Sequence, residues 1–213
     1  MKRQIKLFLI LLVIGRTIAQ EQRAEILLNE VSESMAQFDN ISITFTYELV
    51  NRKELIQQKE KGSLVVEGDA YLLKLMGIEQ LSDGINKHTI NSENQEVLIE
   101  PLGNGFDEDL SPSKIFSFYK QGYRFEWDIM QPLYGGRKIQ FIKLIPIDTY
   151  SQASYLLLGI DTHTKNIYKL IEVDNDGTET TLTISSFKTN IEMPKNTFVF
   201  SLSEYPNYYI DRF

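Results

Sequence analysis

The stretch Ile41–Val50, with the sequence ISITFTYELV, predicts a strand with an apolar face that the rest of the chain or a bound molecule has to cover. Large apolar or aromatic side chains alternate with small or polar ones along it. Because successive side chains of a strand point to opposite faces, this alternation predicts one strand with a single apolar face. Such a face needs an apolar partner, which is either protein core or a bound molecule. The face is formed by Ile41, Ile43, Phe45, Tyr47 and Leu49.

The first 19 residues have the features of a secretory signal peptide. Basic residues precede the apolar run Leu7–Ile14, and small residues precede a cleavage position between Ala19 and Gln20. The run is too short to span a hydrocarbon layer of about 30 Å. We therefore expect an exported protein with a single mature domain over residues 20–213.

The charge balance argues against nucleic acid as a partner. The chain has 22 basic and 29 acidic residues, and removal of residues 1–19 takes away four basic ones, which leaves a net charge of −11. Nucleic-acid binding requires a basic surface instead. The chain also has no cysteine, which excludes a thiol nucleophile, a thiolate metal site and a lipid-modified cysteine. We expect a soluble, untethered monomer.

A long helix is predicted over residues 21–38, because its apolar residues follow a period of 3.6. The stripe consists of Ala24, Leu27, Leu28, Val31, Met35 and Phe38. A second, short and aromatic helix is predicted to begin at Ser111-Pro112 and to run to Tyr119, since serine is a good N-cap and proline a good first residue.

About ten to eleven short strands are predicted along the remainder of the chain. Ten of them are indicated by alternating patterns and turn signals, beginning with Ile41–Val50 and ending with Thr178–Phe187. Short strands at regular spacing with few helices favour a mainly β, α+β fold, in which an antiparallel barrel or strongly curved sheet carries the helices on one face.

Motifs for catalysis are not evident. His88 and His163 have no companions at metal-ligand spacing. The stretch Asp174–Gly177 resembles the start of a calcium loop, but Ser185 occupies the position where the closing acid is required. We expect neither an enzyme nor a bound cofactor or metal. The 12 Phe, 11 Tyr and one Trp fit either a well-filled core or a ligand cavity.

Several motifs, in their order along the whole mature chain, resemble the periplasmic outer-membrane lipoprotein carriers of the LolA family, in particular the Bacteroidetes branch. The two more specific ones are the Ser82-Asp83-Gly84 turn and the helix start Ser111–Phe116. The remaining motifs are Phe45–Leu49, Gly62-Ser63-Leu64, Tyr71–Leu75, Ile78–Leu81 and Phe198-Val199-Phe200.

The resemblance implies an unclosed antiparallel β-barrel with a helical lid, which holds the acyl chains of lipoproteins in an apolar cavity. It implies cavity residues Ile43, Phe45, Tyr47, Leu49, Leu73, Leu75, Ile99, Phe125 and Trp127. It implies lid residues Leu28, Val31, Met35, Ile115, Phe116 and Tyr119. The partners implied are acylated lipoproteins, the inner-membrane ABC transporter that releases them and an outer-membrane acceptor.

The chain departs from the family pattern at two places. His88 stands where the family often has tryptophan, and the turn Glu67–Ala70 lacks the arginine that latches the lid in other members. Two further functions are therefore kept beside lipoprotein transport. One is a carrier of a different lipid, and the other is a non-catalytic interaction module with a self-filled core.

Overall fold

The computed structural model describes residues 20–102 and 114–213. In that part of the chain one α-helix, α1, spans residues 20–35, and twelve strands form a sheet that is not closed into a barrel. This confirms the predicted fold class, mainly β with an unclosed, largely antiparallel sheet. The strands are β1 Ile41–Asn51, β2 Ile56–Glu67, β3 Ala70–Leu75, β4 Ile78–Asp83, β5 Asn86–Asn91, β6 Glu96–Pro101, β7 Tyr123–Pro132, β8 Lys138–Pro146, β9 Ala153–Asp161, β10 Ile167–Asp174, β11 Glu179–Thr189 and β12 Tyr209–Arg212.

Two predictions lie outside the described residues. They are the signal peptide, residues 1–19, and the beginning of the short helix at Ser111. Of that second helix, the described part contains turns followed by a 3₁₀-helix, Phe118–Lys120.

The described chain divides into two compact units. The α1 unit contains residues 20–35 and Tyr119–Glu179, with strands in the order β10-β9-β8-β7. The β1 unit contains Ala36–Phe118 and Thr180–Phe213, with strands in the order β12-β6-β5-β4-β3-β2-β1-β11. That residues 20–213 form a single domain stays a prediction.

Helix α1 buries the stripe that its sequence predicts, from Ala24 to Met35. It ends at Met35, three residues earlier than predicted, and Phe38 lies beyond it and is only half-buried. The early end has a cause in the next segment. There Asp39 donates its N–H to the side chain of Asn190 at 2.8 Å, and Asn40 exchanges side-chain hydrogen bonds with the backbone of Ile191. These bonds fix the entry into β1.

The core of the α1 unit lies on β8 and β9. Ile142 faces Leu158, Leu144 faces Leu156, and all four side chains are buried. On β7, the ring of Trp127 lies under the Arg23 guanidinium of α1 at 4.1 Å. A cation over an aromatic face is attractive, so α1 is held against the face of β7 that carries Trp127.

A bulge interrupts β7 between Trp127 and Met130, and the side chain of Gln140 fills it. The Gln140 amide nitrogen donates to the carbonyl oxygens of Asp128 at 2.7 Å and Phe141 at 2.8 Å. Gln140 is almost fully buried. Its amide thus satisfies backbone groups that the bulge removes from the ladder.

Strands β4 and β12 were not predicted. In β4 only Ile78 and Leu81 are large and apolar, and the flanking glycines favour turns. The strand exists because β3 and β5 pair with it on both sides. Strand β12 pairs in parallel with β6, a long-range contact that leaves no local pattern in sequence.

A ring over a glycine joins β1 to β2. Phe45 lies directly opposite Gly62 in the antiparallel register. A Cβ atom placed on Gly62 would lie 2.4 Å from Cζ of Phe45, which is too close for two carbon atoms. The same arrangement occurs in the α1 unit, where a Cβ on Gly159 would lie 2.8 Å from Cε1 of the opposing Phe141.

We predict that Gly62→Ala destabilises the protein by about 1–3 kcal/mol, the usual cost of overpacking a filled site. Urea unfolding of the variant measures this loss. The neighbouring substitution Ser63→Ala, on the opposite face of β2, serves as control. In a Phe45→Leu background the cost of Gly62→Ala should shrink, because the ring that it displaces is gone; an equal cost in both backgrounds would show that the ring is not responsible.

Candidate functional site

An apolar face runs across the first three strands of the β1 unit, and we call it the β1–β3 face. The register places Ile43 opposite Leu64 and Leu64 opposite Leu73. Residues directly opposite each other in antiparallel strands share a face of the sheet. The apolar residues of the β1–β3 face are Ile41, Ile43, Phe45, Tyr47, Leu49, Leu64, Val66, Tyr71, Leu73 and Leu75, and β2 adds the polar Gln58 and Glu60, opposite Leu49 and Tyr47, to the same face.

Burial is uneven along this face. Its centre is closed, with Ile43 and Leu64 each 1% exposed and Phe45 3% exposed. Towards the β1–β2 turn, Tyr47 and Leu49 are only half-buried, as are Leu73 and Leu75 on β3. The alternation in β1 thus predicts the face correctly, but the face passes from core to partly open surface along its length.

A chain of polar side chains borders the β1–β3 face on the β4 side. The Tyr71 hydroxyl donates to Oε1 of Gln80 at 3.1 Å, and Nε2 of Gln80 donates to the Thr89 hydroxyl at 3.4 Å. Burial, with a smaller contribution from the charge of Glu100, raises the pKa of Tyr71 to about 12. Tyr71 is therefore a neutral hydrogen-bond donor at any physiological pH.

A cavity of about 470 Å³ lies where β2 passes the turn between β3 and β4. It is open to solvent over much of its extent. It adjoins the β1–β3 face at Gly62 and Leu75. The lining residues are Lys61, Gly62, Ser63, Lys74, Leu75, Met76, Gly77, Ile78, Glu79 and Ser92.

Ile99 does not belong with the other predicted cavity residues of this unit. It lies opposite His88, and His88 lies opposite Leu81, which faces Leu72 on β3. Leu72 neighbours Leu73 in sequence, so this series occupies the reverse side of the sheet. Ile99 is one of two adjacent apolar residues, with Leu98, and alternation alone does not say which of them shares a face with β1.

This reverse side is a second apolar face, the β4–β6 face, with the C-terminal tail lying on it. It contains Leu81, His88, Ile90, Val97 and Ile99. The ring of Phe200 stacks on His88 with centroids 4.4 Å apart, and Tyr205 stacks on Phe200 at 5.4 Å. The tail aromatics thus act as core for the β4–β6 face.

The imidazole of His88 is buried, and its Nδ1 has no hydrogen-bond partner among the described residues. Burial lowers the pKa of His88, although a backbone hydrogen bond with Leu81 and the charge of Asp83 partly oppose this. In this position the His88 ring serves as a stacking partner for Phe200.

Phe125 and Trp127 lie in the α1 unit. They face Leu144 and Ile142 of β8, and both are half-buried. On the same side of the unit, Glu172 faces Leu156. The pKa of Glu172 is raised, mainly by burial and in addition by the neighbouring Asp174.

The predicted lid residues are divided between the two units. Leu28, Val31 and Met35 are buried on α1 of the α1 unit. Tyr119 of the same unit is buried too, and its hydroxyl lies 3.1 Å from that of Ser32 on α1. In the β1 unit, Phe116 is buried with its ring edge-on to Phe187 at 6.1 Å, and Ile115 is half-buried. Their function as a lid stays a prediction.

Several residues of the β1–β3 face and of the cavity were not predicted as site residues, among them Gly62, Leu64 and Tyr71. Leu64 and Tyr71 lie in strands that were predicted, and the alternation there could have identified them. The structural importance of Gly62 can be recognised only when its cross-strand neighbour Phe45 is known, because a residue without a side chain does not contribute to a hydrophobic pattern.

Other kinds of site receive no support from the described residues. Within residues 20–102 and 114–213, no three His, Asp or Glu side chains are grouped to hold a metal ion. No helix of the same ranges is both long and apolar enough to cross a membrane.

No protein-family profile and no curated protein matches the chain. Solved structures do match. An uncharacterized conserved protein from Thermus thermophilus is 10% identical, with 90% of this chain and 99% of that one covered and a TM-score of 0.60. A DUF1329 family protein from Desulfovibrio piger is 9% identical, with 87% and 99% covered and a TM-score of 0.50. At these identities the likeness shows the fold alone.

Proteins described as members of the LolA superfamily are also among the matches. One, from Nitrosomonas europaea, is 11% identical, with 83% of this chain and 97% of that one covered and a TM-score of 0.42. That score is too low to support an argument about this chain, and none of these matches indicates a Bacteroidetes branch.

We predict that the protein loses stability as the pH falls below about 6.5, the usual pKa of histidine. The unfolded chain protonates His88 more readily than the folded one, so stability rises with pH in this range. Urea unfolding at about pH 5 and pH 7.5 measures the difference. His88→Phe should reduce it, whereas His163→Gln, at an exposed histidine, should not. An unchanged pH dependence in His88→Phe would contradict the prediction.

Proposed function

We propose that the chain is a periplasmic carrier that binds the acyl chains of lipoproteins and moves them from the inner to the outer membrane. The observation that supports this best is the β1–β3 face. Its apolar residues are closed to solvent at Ile43 and Leu64 and half-buried at Leu73 and Leu75, and Leu75 also lines the cavity.

The energetics of acyl chains fit such a surface. Transfer of one CH₂ group from water to an apolar environment is worth about 0.8 kcal/mol, so a long acyl chain gains on the order of 10 kcal/mol. Cargo with such chains needs an apolar surface throughout its transit through water. Release also has to be possible, and a surface that its own residues partly close binds less tightly than a deep permanent pocket.

The proposed partners follow from this function. Acylated lipoproteins are the cargo, the inner-membrane ABC transporter supplies them, and an outer-membrane acceptor receives them. Export depends on the predicted signal peptide in residues 1–19. Catalysis has no part in the proposal.

We predict that Leu73→Gln weakens the binding of a fluorescent long-chain acyl probe by about tenfold, since about 1.4 kcal/mol of apolar contact is lost. Leu72→Gln is the matched control. It changes the same residue type in the same strand, also half-buried, on the opposite face. Fluorescence titration of both variants, with thermal melting to verify the fold, measures the effect.

Two results would contradict the carrier proposal. If Leu73→Gln folds and binds the probe as tightly as the parent chain, the β1–β3 face is not the site. If the parent chain shows no saturable binding, an interaction module with a self-filled core is the better description. Mass spectrometry of the lipid extracted from mature protein then distinguishes lipoprotein acyl chains from a different lipid cargo.

A further inference from the structure

The turn between β1 and β2 presents a leucine side chain to solvent. It comprises residues 52–55, and Leu55 is 91% exposed, more than any other large aliphatic side chain among the described residues. The next residue, Ile56, is 44% exposed. Because the side chain of Leu55 is almost entirely in water, it adds very little to the apolar area that folding buries.

The backbone of this turn is ordered and does not favour a leucine. Asn51, which is buried, accepts hydrogen bonds from the backbone N–H groups of Lys53 and Glu54, both at 3.0 Å. Leu55 follows with a φ of 55°. In this left-handed conformation the Cβ atom lies too close to the backbone, so the position suits glycine or asparagine better than leucine. Neither burial nor backbone conformation therefore accounts for a leucine here.

Two other hairpins contain the same turn with a polar residue at the equivalent position. Asn91 in the β5–β6 turn and Asp161 in the β9–β10 turn each accept two backbone N–H groups, at 2.9–3.1 Å, from the residues two and three positions later. The fourth residue after each is again left-handed, with a φ of 54° at Gln95 and 60° at Lys165. Of these three turns, only the one between β1 and β2 has an apolar side chain there.

The charge of this end of the hairpin is opposite to that of the whole chain. Residues 51–62 contain four basic and two acidic side chains, which gives a net charge of +2, whereas the whole chain has a net charge of −7. Two of the basic residues, Arg52 and Lys53, lie in the turn itself and are exposed. An apolar tip beside cations fits an anionic lipid bilayer, because the bilayer surface attracts basic residues and its interior accepts apolar ones.

A protein partner fits this end of the hairpin less well. The part of β2 that follows the turn carries polar side chains instead of a flat apolar patch, since Gln57, Gln58, Lys59 and Glu60 are all exposed. A stable protein interface needs about 800 Å² on each partner with good complementarity. A fluid bilayer adapts its shape to what enters it, so one protruding leucine is sufficient for contact with its apolar region.

We propose that the end of the β1–β2 hairpin docks on anionic lipid bilayers, with Leu55 inserted and with Arg52 and Lys53 among the headgroups. The docking is transient, because one leucine buries less apolar surface than a myristoyl chain, which by itself gives an association constant of only about 10⁴ M⁻¹. This proposal goes beyond the carrier function and does not rest on it, since it requires neither the β1–β3 face nor a cargo.

The test measures insertion in mature protein that is held at a membrane. The chain has no cysteine, so Gln57→Cys, at an exposed position beside the turn, can carry a single polarity-sensitive fluorophore. An N-terminal histidine tag attaches the protein to nickel-chelating lipid in vesicles of equimolar phosphatidylcholine and phosphatidylglycerol. The tether raises the local concentration to the order of millimolar, which makes weak docking measurable.

We expect a blue shift of the fluorophore at position 57 when the vesicles are added. The same label on Ile85→Cys should not shift, because the β4–β5 turn lies at the opposite end of the antiparallel strands. Absence of a shift at position 57, or equal shifts at the two positions, would overturn the proposal.

Leu55→Asn separates docking from stability. Asparagine adopts the left-handed conformation more readily than leucine, so urea unfolding should show a variant at least as stable as the parent chain. With the label at position 57, the ratio of inserted to free hairpin should fall about tenfold, the lower range for loss of one buried leucine side chain. Ile85→Asn, at a side chain that is 72% exposed, is the matched control and should leave insertion unchanged. Unchanged insertion or a loss of stability in Leu55→Asn would contradict the proposal.

The basic residues are tested separately. Arg52→Gln combined with Lys53→Gln should reduce insertion into the anionic vesicles about thirtyfold, the effect of two basic residues near such a surface. The reduction should shrink at high salt. Lys188→Gln combined with Lys195→Gln removes the same charge from two exposed positions of the same unit and should change insertion little. Equal effects of the two double variants would show that only net charge matters and would overturn a site at the turn.

Discussion

The contact of the Phe45 ring with the bare backbone of Gly62 is the constraint on which the β1 unit depends. It fixes the register of β1 and β2, because a shift by one residue would place a side chain under the ring and turn the apolar set of β1 to the other face. Phe141 and Gly159 fix the register of β8 and β9 in the α1 unit in the same way. In both pairs a large buried ring lies over a residue without a side chain.

With that register set, the sheet of the β1 unit has two apolar regions on opposite sides. The β1–β3 face is on one side, and the β4–β6 face is on the other, where Phe200 and Tyr205 lie over His88. Strand β3 contributes to both through Leu73 and Leu72. The tail supplies part of the protein's own core to the β4–β6 face, which leaves the β1–β3 face as the one with a half-open end and an adjoining cavity.

Alternation in the sequence was sufficient to predict β1, the direction of its apolar face and the mainly β fold. The apolar stripe of α1 from Ala24 to Met35 could also be predicted, because helix periodicity is a local pattern. Long-range strand pairing could not be predicted. Strand β12 depends on parallel contact with β6, and β4 depends on two neighbours, so neither has a pattern of its own. The side on which Ile99 lies follows from a series of cross-strand pairs that begins at Leu72, and no local rule provides that series.

The half-open end of the β1–β3 face and the unpaired end of β2 have one common structural cause. The β3–β4 turn at Met76-Gly77 ends the β3–β4 hairpin before β2 ends, so β3 supplies neither a further side chain beside Leu75 nor a backbone partner to residues 56–61 of β2. A longer hairpin would cover both. Partly exposed apolar side chains and an unpaired stretch of strand backbone therefore lie side by side in the β1 unit.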